Sequence, residues 1–149
     1  MHAEHATIWR HVERALAVIG ARVIPGTKLA AYGHGDWNDS LQPVDPAMRE
    51  RLCSAWTVTL QHQTLCTLAA ALTQLGRGEH APALEATAAQ VRDEFQRLLI
   101  EDGVLAGFTY FRADGSVDRL LHPSDRSTGI HFRLLPMIHA ILADLFTPE

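Results

Sequence analysis

Apolar positions recur at helical spacing over most of this chain. Ile8, Val12, Leu16 and Ile19 fall four, four and three residues apart, and Trp9 and Ala15 widen the stripe. Residues 5–20 therefore read as an amphipathic helix, with Arg10, Glu13 and Arg14 on its solvated face. Pro25-Gly26 breaks the pattern, and a long loop rich in Gly, Asp, Asn and Pro follows over residues 25–45. Asp45-Pro46 has the character of a helix start: the carboxylate can accept from orphan amides, and proline suits the first helical position. The spacing extends that helix to Leu75 and stops it at Gly76, with Leu52, Trp56, Leu60, Leu65, Leu68, Ala69 and Leu72 on the apolar face. The β-branched run in Trp56-Thr57-Val58-Thr59 weakens it, so one kinked helix or two shorter ones both satisfy the pattern.

A third helix is expected from Pro82 to Ile100, on Leu84, Ala88, Val91, Phe95, Leu98 and Leu99, stopped by Asp102-Gly103. The period then changes. Val104 to Arg112 is aromatic and β-rich, Ala113-Asp114-Gly115-Ser116 is a turn signal, and Val117 to Leu121 can return as a second strand, which makes a hairpin. Pro123 to Gly129 reads as a polar loop. The last helix, Leu135 to Phe146, holds Pro136 in its first turn and is apolar nearly all round, a pattern that calls for burial between neighbours. The expected fold is mainly α with a short β-hairpin.

Length and composition narrow the class. With 149 residues, 47% of them hydrophobic, the chain can build one domain with a real core. No apolar run approaches the ~18–20 residues that span a bilayer. The start, Met1-His2-Ala3-Glu4-His5, lacks the basic-then-apolar order of a secretory signal, so a cytoplasmic location and no membrane partner are expected. The net charge of −4 comes with no long basic run, which argues against a nucleic-acid partner. Cys53 and Cys66 form no CxxC pattern and read as reduced core thiols of the second helix. The nine histidines include neither HExxH nor a clustered Cys/His set, so no metal site is expected.

Chemistry concentrates in Gly33-His34-Gly35-Asp36-Trp37-Asn38-Asp39-Ser40. Two carboxylates, an indole and a carboxamide within four residues are a poor mixture for a core, because each polar group would need a buried partner. They suit a sugar, whose hydroxyls bond carboxylates and amides and whose apolar face stacks on an aromatic ring. Asp36 can bond sugar hydroxyls or cap a turn; Trp37 can be a sugar platform or a core anchor; Asn38 can bond sugar or hold the turn. Asp39 can be an acid for a leaving oxygen or a surface carboxylate. Trp56 fits the helical core, His34 a loop position, and Arg126 and Arg133 a solvated surface.

Asp36-Trp37-Asn38-Asp39, preceded by Gly35 and followed by Ser40-Leu41, resembles the catalytic motif of glycoside hydrolase family 94, the inverting disaccharide and oligosaccharide phosphorylases. Ser54-Ala55-Trp56 resembles the Ser-Val-Trp that follows the motif in these enzymes, and residues 103–146 resemble their next segment. Gly33 to Pro43 is most similar to the 1,2-β-oligoglucan branch, since the cellobiose branch usually has Gly-Met where this chain has Ser40-Leu41. The resemblance implies a segment of an (α/α)6 toroid, residues 1–149 forming part of a phosphorylase catalytic domain. It also implies that Asp39 is the general acid, and that Asp36, Trp37 and Asn38 bind a β-glucan oligosaccharide. Inorganic phosphate would be the co-substrate and no cofactor would be needed, because phosphate is already an anionic nucleophile. The family's phosphate-binding segment lies downstream of the region matched, and Ser127-Thr128-Gly129 only superficially resembles its turn. The isolated chain is therefore expected to be inactive, and to self-associate through open apolar flanks. The competing expectation is a carbohydrate-binding or purely structural helical remnant without catalysis.

Overall fold

The computed structural model describes residues 6–33, 35 and 45–146. Helix α1, Ile8–Gly20, starts at Thr7, whose hydroxyl accepts from the Arg10 amide at 3.2 Å. It buries only part of its stripe. Trp9 and Leu16 pack on the core, Trp9 lying against His80 with ring centroids 4.3 Å apart and under the Arg77 guanidinium, 5.0 Å from the ring centroid. Ile8 and Ile19, expected on the buried face, are exposed.

The segment from Arg22 to Ala31 doubles back on itself, Ile24 N–H donating to Leu29 O and Ala31 N–H to Arg22 O. Side chains from two helices clamp it. Gln61 accepts from the Ala30 amide at 3.0 Å and donates to Lys28 O at 2.8 Å, and Glu94 accepts from the Lys28 amide at 2.6 Å. Ile24, Leu29 and Tyr32 are buried as a result.

Asp45 does cap a helix, its carboxylate accepting from Ala47 N–H at 2.8 Å, but this is a short 3-10 turn, Pro46–Glu50. Leu52–Ser54 then forms a strand, β1, and α2 begins only at Ala55, running to Gln74. The expectation of helix from residue 45 is corrected here: Leu52 and Cys53 belong to a sheet, because their backbone finds partners in a distant strand. Gly76, at φ 71°, ends the second helix as the sequence predicts. Helix α3, Ala81–Leu99, buries Leu84, Ala88, Val91, Phe95 and Leu99 against α2.

The β-rich stretch divides into β2 (Ile100–Glu101), β3 (Val104–Leu105), β4 (Phe108–Phe111) and β5 (Val117–Leu120). β2 and β3 pair with each other, and β4 and β5 form the expected hairpin. β1 adds to its other edge, giving an antiparallel sheet in the order β1-β4-β5, with Leu52 opposite Tyr110 and Ser54 opposite Phe108. One face, through Cys53 and Phe111, joins the main core; the other makes a small cluster of Tyr32, Leu52, Phe108 and Leu121. Helix α4, Leu134–Leu142, is shorter than expected and packs on α2, with Pro136 and Ala140 its buried residues. Leu134, Ile138, Ile141 and Leu142 remain exposed, so the burial expected for this helix is met on one side only. The described residues are thus mainly α with a small antiparallel sheet.

Candidate functional site

The four residues expected to contact sugar or act as acid, Asp36, Trp37, Asn38 and Asp39, lie outside the described residues, as does His34. The backbone leading to them is well placed. Tyr32 N–H donates to Leu52 O at 2.7 Å, and Gly33 N–H to Arg49 O at 2.9 Å, so the chain runs along the free edge of β1 as it reaches the motif. Gly33 and Gly35 both take positive φ, 60° and 112°, conformations costly for residues with a β-carbon. Gly35 N–H turns back to Tyr32 O at 3.1 Å. The two glycines that precede Asp36 are therefore needed by the turn itself.

Tyr32 meets Phe108 edge-on, with ring centroids 5.4 Å apart. Over the same Phe108 lies the guanidinium of Arg133, 4.6 Å from the ring centroid. Arg133 was expected to be solvated; it is half-buried, and its Nη1 and Nη2 are shielded from solvent without a hydrogen-bond partner. Gly107 makes that position possible, since a β-carbon there would stand 3.0 Å from Arg133 Cβ and 2.8 Å from Leu121 Cβ. Arg126 is exposed, as expected.

The first turn of α2 approaches the same end of the molecule. Its leading amide, Ala55 N–H, donates to Gly107 O at 3.2 Å. Trp56 is half-buried and tilted against His139 of α4 at 6.4 Å, consistent with its reading as a packing residue. Thr59 links the two helices. Its hydroxyl donates to Trp56 O at 2.7 Å, and so accepts from His139 Nδ1 at 2.6 Å.

Sequence reasoning gave Asp125 no role, yet it organises the polar loop after β5. Its carboxylate accepts from the amides of Leu121, Ser127 and Thr128 and from the hydroxyls of Ser127 and Thr128, at 2.5–3.2 Å. Burial alone would raise its pKa; the donors of Thr128, Leu121 and Ser127 outweigh that and hold the carboxyl well below the usual range. The hydroxyls of Ser127 and Thr128 thereby donate inside the loop. The spacing Asp-x-Ser-Thr was the available signal, since short polar side chains of this order close Asx-type turns.

The cysteines split. Cys53 is buried in β1, where burial pushes its thiol upward, whereas Cys66 is exposed, correcting the expectation of two core thiols. Cys66 lies 3.7 Å from His62 Nε2, and His62 titrates low because of burial first and Arg92 second, against an opposing pull from Asp144. Among the described residues no group of His, Cys, Asp and Glu could hold a metal, and no helix is long and apolar enough to cross a membrane.

No protein-family model matches the chain. It is 36% identical over 143 residues to the 1,2-beta-oligoglucan phosphorylase of Listeria innocua serovar 6a. The match covers 95% of this chain but only 13% of the length of that relative. Over nearly its whole length, then, the chain is related to one segment of an oligoglucan phosphorylase.

Proposed function

We propose that this chain is the acid-bearing segment of an inverting β-glucan oligosaccharide phosphorylase. The reaction is glucan plus inorganic phosphate giving a shortened glucan and α-glucose 1-phosphate. The observation that carries the reading is the 36% identity to a 1,2-beta-oligoglucan phosphorylase across 95% of the chain. In this reading Asp39 protonates the leaving glycosidic oxygen while phosphate attacks from the opposite face of the sugar. That task needs a proton near neutral pH, so Asp39 must titrate above the ~3.9 of a free carboxyl. Asp36 and Asn38 bond sugar hydroxyls, and Trp37 covers the apolar face of the ring. The segment belongs to an (α/α)6 catalytic domain, works in the cytoplasm and uses no cofactor beyond phosphate as co-substrate.

An exchange experiment tests it. When this chain replaces the corresponding segment of the Listeria enzyme, phosphorolysis of β-1,2-glucan is expected to persist. Asp39→Asn in the chimera should lower the rate by at least ~10²-fold while glucan still binds. Near-normal phosphorolysis by that variant refutes the acid assignment. Glucan binding without phosphorolysis in the unsubstituted chimera would favour the carbohydrate-binding reading instead.

A further inference from the structure

We propose that Phe108 and Arg133 are positioning residues for the acid-bearing motif, acting through Tyr32 on the direction in which the chain leaves β1. The inference rests on the phosphorolytic reading of Asp39. The observation is a series of contacts that starts at the stem of the motif and ends at α4. Tyr32 is buried, and its amide donates to Leu52 O at 2.7 Å. Gly33 and Gly35 carry no side chains, so Tyr32 is the last described residue before Asp36 whose side chain ties the stem to the sheet. Its ring meets Phe108 edge-on with centroids 5.4 Å apart, and the Arg133 guanidinium lies 4.6 Å from the centroid of that same Phe108.

Three features suit these contacts to holding a direction. Tyr32, Leu52, Phe108 and Leu121 form a cluster of their own beside the main core, so the stem is seated on a few residues and not on the bulk of the protein. Edge-on ring contacts and a cation over a ring depend on angle, as aliphatic packing does not. The Nη atoms of Arg133 are closed to solvent and have no hydrogen-bond partner among the described residues, so the guanidinium touches no ligand. Sliding off the Phe108 ring would leave its charge withdrawn from water with less to offset it. Arg133 is also the residue immediately before α4, seated against Gly107, where a β-carbon would stand 3.0 Å from its Cβ. The contacts thus join the stem of the motif to a helix. A displacement of about 1 Å at reacting groups is enough to cost ~10²-fold in rate.

The test is steady-state phosphorolysis of β-1,2-glucan by the Listeria enzyme carrying this chain in place of its own segment, with Tm measured alongside. Phe108→Leu and Arg133→Met should each lower kcat by about 10- to 100-fold while KM for glucan changes less than about threefold. Phe108→Tyr keeps the ring and Arg133→Lys keeps a cation over it, so both should recover most of the rate. Leu84→Ala, a cavity in the main core away from these contacts, should lower Tm and leave kcat within about threefold. Should Phe108→Leu fail to fold, Arg133→Met gives the answer. Unchanged kcat in both variants, a loss confined to KM, no recovery by Lys, or an equal loss in Leu84→Ala each overturns the proposal. An unsubstituted chimera without phosphorolysis refutes the reading of Asp39 and this inference with it, whereas an active chimera indifferent to Phe108 and Arg133 refutes the positioning role alone.

Discussion

Asp125 shows how much one buried carboxylate can hold together. Five donors from Leu121, Ser127 and Thr128 converge on it, and Leu121 sits at φ 54°, a left-handed conformation that a branched residue keeps only under constraint. Replacing Asp125 with Ala is expected to cost about 3 kcal/mol, because the donors lose a charged acceptor and Leu121 loses its tether. Asp125→Asn adds a pH signature. The folded pKa lies below that of the unfolded chain, near 3.9, so between the two the unfolded form binds more protons. The contribution is complete above the unfolded value and is lost as pH falls through the folded one. The Tm gap between the native chain and Asp125→Asn should therefore be full at pH 6 and shrink below about pH 3. A gap that stays constant from pH 6 to pH 2 would show that the carboxylate charge is not what holds the turn.

Among the elements, Gly107 is the joint. It lies between β3 and β4, its carbonyl receives the first amide of α2, and Leu121 and the start of α4 close on its α-carbon. A β-carbon would overlap Leu121 Cβ at 2.8 Å and Cδ1 at 2.9 Å, and the neighbouring groups are backbone-near atoms with little freedom to move. Gly107→Ala is predicted to destabilise the chain by about 1–3 kcal/mol, the usual cost of overpacking, measured by urea unfolding. An unchanged midpoint would mean that α4 and the β5 loop can slide away without loss. The same joint explains why the helix expected from residue 45 breaks. Leu52–Ser54 gains a ladder with β4, and α2 restarts where Gly107 can receive its first amide.

On the scale of the whole molecule, the described residues leave apolar side chains uncovered along α4 and α1. Helix α4 presents Leu134, Ile138, Ile141 and Leu142, positions zero, four, seven and eight along one stripe, and Phe132 precedes them with 61% of its surface exposed. Helix α1 adds Ile8, Val18 and Ile19. Contiguous exposed stripes of this kind favour association. Sedimentation velocity on the chain at tens of micromolar should show species larger than the 16.5 kDa monomer. Ile138→Glu with Ile141→Glu should return it toward the monomer, since charges on both turns oppose burial of the stripe. A native chain that sediments as a monomer at that concentration would show that the stripe is too narrow to drive pairing.

The sequence by itself determined that α1 and α3 form and where α2 ends, because those signals are local. The 3.6-residue spacing of Leu84, Ala88, Val91, Phe95 and Leu99, the cap at Asp45 and the stop at Gly76 act within a few residues of themselves. The hairpin of β4 and β5 was legible for the same reason. Only the tertiary structure decided the rest. Leu52–Ser54 is a strand because β4, more than fifty residues away, supplies its ladder. Half of the α1 stripe stays in water because Arg77 and His80 offer Trp9 a seat and nothing comparable receives Ile8. Arg133 is withdrawn from solvent because Gly107 and Phe108 admit it, and no residue near it in sequence announces that. A pattern fixes which face of an element is apolar; which neighbour covers that face depends on contacts between residues far apart in the chain, and those are set only when the whole chain packs.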